Sequence, residues 1–162
     1  MPKTLDPFEA ALDLPFLFRD RPTSAPSDLR PAWRVPVAVL LISHCRGGRA
    51  THEQLHVLNW AVRSAESAES LAAFLDGRIP PERAVIRHDP ALDRATGLAR
   101  GFGLIVWKDR YWSLTPAGRE LLEAIREDDD LLAGEKGLLG VLPKPLTQAA
   151  VASLLRREEQ AT

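Results

Sequence analysis

What the chain lacks narrows the field first. One cysteine, Cys45, is present, so no internal disulfide is possible and a reducing interior is expected. The longest strongly apolar run, residues 35–42, is far too short to span a bilayer, and nothing in the acidic N-terminal stretch resembles a secretory signal. A cytoplasmic protein without membrane attachment is the expectation. Charge of either sign is not in excess: 21 Lys and Arg stand against 22 Asp and Glu, a formal net charge of −1. General attraction to nucleic acid or anionic lipid is therefore absent, and any such binding has to come from a local patch. Glycine loops that cradle phosphate are missing too. Gly101-Phe102-Gly103 lacks the rest of a G-x-G-x-x-G pattern, and no Walker-type lysine follows a glycine run. No cofactor is expected and no internal repeat is evident.

What is there is 162 residues of ordinary globular composition, 45% apolar and 27% charged, enough for one domain with appendages. Residues 89–126 read helix, hairpin, helix. Asp89 is a favourable N-cap with Pro90 behind it, and Leu92, Ala95, Leu98, Ala99 and Phe102 recur at helical spacing as an expected inner arc. Gly101 and Gly103 close that helix. Two runs of β-formers, residues 104–108 and 111–114, flank Asp109-Arg110 as a short-loop hairpin, and Thr115-Pro116 starts a helix with Leu121, Leu122 and Ile125 inward.

Upstream, residues 33–46 form the first core helix, stopped by Gly47-Gly48. Thr51 caps a second, with Gln54 in capping-box position and a wide apolar arc through Leu55, Val57, Leu58, Trp60, Ala61 and Val62. Residues 64–76 make a third. Residues 84–87, Ala-Val-Ile-Arg, are the expected third strand, which would depart from the usual winged-helix order, where that strand lies between the first two helices. Before residue 33 lies an arm with three prolines between residues 21 and 31, preceded by Phe16 and Phe18. Beyond residue 127 an acidic run and a glycine-containing stretch lead to a final helix over 148–159 with Val151, Leu154 and Leu155 inward. The expected fold class is mainly α with a small antiparallel sheet. It comprises a winged helix-turn-helix-like domain over 33–127, an N-terminal arm over 1–32, and a linker with a C-terminal helix over 128–162.

Three chemistries compete for this scaffold. His52-Glu53-Gln54-Leu55-His56 matches the H-E-x-x-H pattern of zinc hydrolases, in which two imidazoles one turn apart hold the metal and the glutamate activates water. Against it stand the place of His52 at a helix start, the lack of an obvious third ligand downstream, and Arg63 on the same strip as His52, His56 and Asn59. A solvated or interface strip is therefore expected, with no metal. DNA reading would use the helix over 91–102 in the major groove and the wing tip on phosphates. Its candidate residues are Arg94, Arg100, Lys108 and Arg110, but these four cations face three carboxylates, Asp89, Asp93 and Asp109, a poor footprint for a phosphate backbone unless a homodimer doubles it. Cys45 beside His44 reads as an inert core thiol rather than a nucleophile.

Residues 55–61, Leu-His-Val-Leu-Asn-Trp-Ala, with 89–95, Asp-Pro-Ala-Leu-Asp-Arg-Ala, then Gly103-Leu104 and Leu114-Thr115-Pro116-Ala117-Gly118, resemble the small middle component of bacterial three-component ABC-ATPase systems. The resemblance covers about residues 33–125 and places His56, Trp60, Asp89 and Arg94 at recurrent positions. It implies a non-enzymatic winged-helix adaptor between an SMC- or RecF-like ATPase and an effector, in defence against phage or plasmid DNA, with double-stranded DNA met through the complex. It brings no catalytic residues. Under it the partner contacts would be Phe16, Phe18, Trp60, Leu154 and Leu155.

Overall fold

The structure is a computed structural model and describes residues 30–81, 86, 88–143 and 145–155. The arm with Phe16 and Phe18 lies outside the described residues. Seven helices and three strands are described, in the order α1 (Pro31–His44), β1 (Arg49–Ala50), α2 (His52–Ala61), α3 (Ala65–Leu75), α4 (Pro90–Gly101), β2 (Ile105–Lys108), β3 (Tyr111–Leu114), α5 (Pro116–Glu127), α6 (Ala133–Gly140) and α7 (Gln148–Leu155). The chain is thus mainly helical, with one small antiparallel sheet in the order β1-β3-β2.

Helix α1 is the central pillar. Val39, Leu41 and Ile42 are fully buried, and neighbours on all sides include α4, α5 and β3. Helix α2 starts as its sequence dictates: the Thr51 side chain accepts from Gln54 N–H at 3.2 Å, and the Gln54 side chain accepts from Thr51 N–H at 2.8 Å, completing the capping box. Gln54 does a second job, since its Nε2 donates to the Leu146 carbonyl at 2.8 Å and ties the C-terminal segment to α2.

Register in the hairpin pairs Ile105 with Leu114 and Lys108 with Tyr111, leaving Asp109-Arg110 as the loop. Both loop residues have positive φ, 52° and 68°, the type I′ geometry that two-residue hairpins select, here without the usual glycine or asparagine. Trp107 and Trp112 face each other across the ladder with ring centroids 4.8 Å apart.

Four expectations need correction. Among the described residues the third strand is Arg49–Ala50, paired with Ser113 and Trp112; the strand expected over residues 84–87 falls mostly outside the described residues. Of those four residues only Ile86 is described, and it is buried outside any strand. Helix α4 buries Leu92, Ala95, Thr96 and Ala99, while Leu98 and Phe102 are exposed. At about 100° per residue Leu98 sits roughly 120° around the helix from Leu92, so the true inner face is narrower than the arc that included it. Helix α6 was not expected because three glycines lower its propensity. It is held tertiarily: Leu139 is buried, and Lys136 donates to the carbonyls of Ile125 (3.0 Å) and Asp128 (2.6 Å), closing the end of α5. Finally, the described residues beyond 127 join the same core, with Leu132, Leu139, Leu142, Leu146, Val151 and Leu154 buried in it.

Candidate functional site

The strip His52, His56, Asn59, Arg63 runs along one face of α2 because its members recur at three- and four-residue steps. Its two ends, His52 and Arg63, reach solvent, but its middle does not. His56 and Asn59 are each 6% exposed, and the whole face meets the segment that begins α4.

Two carboxylates receive it. Asp89, the N-cap of α4, accepts from Ala91 N–H at 2.9 Å through one oxygen. Its other oxygen takes Arg34 Nη1 of α1 at 2.9 Å and Asn59 Nδ2 at 3.1 Å, with Arg63 Nη1 at 3.5 Å. Burial alone would push the Asp89 carboxyl up; hydrogen bonds from Ala91, Arg34 and Asn59 outweigh it and hold the group below its ordinary value. Three helices therefore meet on one ionised side chain. Arg34 was not a sequence candidate, and nothing in an isolated reading of α1 marks it. The cations on Asp89 are Arg34 and Arg63, not Arg94. A cleft of about 350 Å³ opens beside this hub, lined by Trp33, Arg34, Asn59, Arg63, Asp89 and Glu135 among others.

One turn along α4, Asp93 faces the other half of the strip. Its Oδ1 lies 3.1 Å from His56 Nε2 and 3.2 Å from His52 Nε2, while Oδ2 lies 2.7 Å from His88 Nε2. The two imidazole nitrogens of His52 and His56 are 3.1 Å apart, and the His56 and His88 rings stack with centroids 4.1 Å apart. Burial holds His56 below its ordinary value, the hydrogen bond with Asp93 opposing the shift in part. For Asp93 burial acts upward, but the bonds to His88 and His56 win and hold the carboxyl below the usual range. One donor atom from each of His52, His56, His88 and Asp93 lies within 4.8 Å of all the others. His88 and Asp93 are the residues sequence reasoning missed; the signal was the stretch His88-Asp-Pro-Ala-Leu-Asp93 directly at a helix start. Two objections to the His52/His56 pair also lapse. The helix start is locked by its capping box, and Arg63 is turned to Asp89.

Glu53, the remaining member of the H-E-x-x-H pattern, is exposed and outside this cluster. It lines a second cleft of about 610 Å³ with His52, Trp107, Arg110, Tyr111 and Gln148. Tyr111 is held there by a hydrogen bond from Gln148 of α7 and by Arg49, whose guanidinium lies 4.9 Å from the ring centroid.

Among the other candidates, Arg94, Arg100, Lys108 and Arg110 are all exposed on α4, β2 and the hairpin loop. Among the described residues, no ion pair within 4 Å holds any of them. Trp60 is half-buried against the chain's own core, Leu154 is buried and Leu155 half-buried where α7 lies on α2. Among the described residues, the large apolar side chains left exposed are Leu98, Phe102 (69% exposed), Val106, Trp107 and Val141. Among the described residues no helix is long and apolar enough to cross a membrane. Comparison with protein-family models, curated proteins and solved structures gives no match.

Proposed function

We propose that the chain is a winged-helix protein acting as a non-enzymatic adaptor subunit that joins an ABC-type, SMC- or RecF-like ATPase to an effector in a bacterial defence complex. Support for the winged helix comes from topology: β1 sits between the first two helices, the hairpin follows α4, and the strand order is β1-β3-β2. Helix α3 is then an extra helix between α2 and the recognition-type helix α4.

The observation that carries the adaptor reading is where apolar surface is left. Leu98, Phe102, Val106 and Trp107 lie on α4 and β2, the elements that would lie against DNA in a DNA-reading protein. Exposed aromatics on these elements suit a protein partner better than phosphates. The test is co-expression with any ABC-type ATPase encoded in the neighbouring reading frames, followed by size-exclusion chromatography. The reading expects a stable complex that Phe102→Asp with Trp107→Asp abolishes while circular dichroism stays native. A chain that elutes alone at micromolar concentration refutes it.

A second reading, a dimeric DNA-binding regulator, is favoured by the four exposed cations on α4, β2 and the hairpin loop. It requires duplex binding that weakens steeply with salt and is lost in Arg94→Ala with Arg100→Ala. Binding unchanged by that pair of substitutions eliminates it.

A further inference from the structure

We infer that His52, His56, His88 and Asp93 form a structural binding site for one divalent transition-metal ion of zinc type, clamping α2 to the first turn of α4. The geometry is that of a donor set and not of a loose polar patch. His52 Nε2, His56 Nε2 and Asp93 Oδ1 make a nearly equilateral triangle with edges of 3.1, 3.1 and 3.2 Å. Zinc bonds of about 2.0–2.1 Å at tetrahedral angles place ligand atoms about 3.3 Å apart. His88, 2.7 Å from the second carboxylate oxygen, supplies the fourth donor. Neutral imidazoles and a carboxylate are the nitrogen and oxygen ligands that zinc, cobalt and nickel accept, whereas magnesium and calcium ask for oxygen.

Four protein ligands leave no open position, which is the structural rather than the catalytic pattern. The place of Glu53 agrees with this, since it points to the other cleft and has no donor atom in the cluster. His52, His88 and Asp93 are partly exposed, so an ion has a path in. Two contacts oppose the site. The His56 and His88 rings stack with centroids 4.1 Å apart, closer than the roughly 5 Å that two imidazoles at tetrahedral angles on one ion require, so His88 has to swing outward to ligate. Asp89 N–H lies 3.3 Å from His56 Nδ1, and a metal on Nε2 puts the ring proton on Nδ1, so this contact is given up. Lack of a second-shell acceptor weakens metal sites by about 10–100-fold, and the affinity is accordingly expected below that of a zinc finger.

The experiment uses full-length protein freed of any polyhistidine tag and stripped with a chelator, then titrated with zinc chloride against a chromogenic zinc indicator. Expected are one zinc per chain and, at free zinc a hundredfold above Kd, a Tm rise of about 5–10 °C. His52→Ala and Asp93→Asn, at partly exposed positions that fold should tolerate, are each expected to weaken binding at least about 100-fold, with Glu53→Gln unchanged. His88→Ala is expected to weaken it at least about 10-fold. Cobalt bound in place of zinc should show the visible bands of a four-coordinate ion. Sub-stoichiometric binding at micromolar zinc, binding indifferent to His52→Ala and Asp93→Asn, or an octahedral cobalt spectrum each overturns the site; indifference to His88→Ala overturns its closed, four-ligand form.

Discussion

Gly118 tests how the hairpin is fixed to the helices. It lies in the first turn of α5, in ordinary helical conformation, where alanine is favoured over glycine by about 1 kcal/mol. Propensity alone therefore says that Gly118→Ala stabilises. The packing says the reverse, because a Cβ built there would lie 2.0 Å from the Leu104 carbonyl oxygen, against a floor near 3.0 Å for real contacts. That carbonyl has to retreat by about 1 Å, and it is not free to do so: it accepts Thr115 N–H at 3.0 Å and faces the Thr115 hydroxyl at 3.0 Å. Losing one or two such bonds costs about 1 kcal/mol each, and overpacking adds about 1–3 kcal/mol. Against about 1 kcal/mol of helix propensity the net is a loss of about 1–4 kcal/mol, a Tm drop of about 2–15 °C for a chain of this size. Gly97 is the matched control. It also lies within a helix, with nothing within 4 Å of a built Cβ, so Gly97→Ala should raise Tm by about 2–4 °C. Urea unfolding followed by circular dichroism gives both values. If the two substitutions move stability in the same direction, the Leu104–Gly118 contact is not what fixes the joint.

Other outcomes follow from the same geometry. Asp89→Ala removes a cap worth about 1 kcal/mol together with the charge-assisted hydrogen bonds from Arg34 and Asn59, for a loss of about 3–4 kcal/mol; Asp89→Asn, which keeps the cap, should lose less, and equal losses in urea titrations would deny the cap. Because Asp109 and Arg110 both hold positive φ, Asp109→Asn with Arg110→Gly should stabilise by about 1–2 kcal/mol, and an unchanged Tm would refute the type I′ turn. Burial pushes the Cys45 thiol up to about 12 from 9.0, so its thiolate fraction at pH 8 is about a thousandfold below that of an unfolded chain. Iodoacetamide should label native protein only as fast as it unfolds, and rapid native labelling would place Cys45 at the surface. The same shift contributes stability that is present below pH 9 and lost as pH rises toward about 12, since the unfolded thiol ionises first.

The motif Thr115-Pro116-Ala117-Gly118 now has a physical reason beyond its resemblance value. Thr115 caps α5 through Gly118 N–H at 3.1 Å and also faces the carbonyls of Gly103 and Leu104, so hairpin base and helix start are one joint. That much was legible, because caps, prolines and glycines act over a few residues. Helices α1 to α5 were legible for a related reason, since a period of 3.6 is written into consecutive positions. The third strand was not. Arg49–Ala50 is two residues long and carries no alternation, whereas residues 84–87 hold β-branched neighbours that look like a strand in isolation.

The polar strip failed in a more instructive way. A helical wheel places Arg63 beside His52 and His56 and concludes that a guanidinium opposes any cation there, but a wheel contains one helix and no partner. Asp89 and Asp93 are themselves one turn apart, so when α4 begins against α2 the strip is divided in register: Asn59 and Arg63 fall to Asp89, His52 and His56 to Asp93. The positive charge of Arg63 is spent on a carboxylate that also holds Arg34, and the imidazoles are left with a carboxylate of their own. Electrostatics that argued against a cation from one element therefore argue for one from two. The decisive spacing was the i, i+4 pair of acids in residues 89–93, which reads locally as a cap and a first-turn charge and acquires its second meaning only from what it faces.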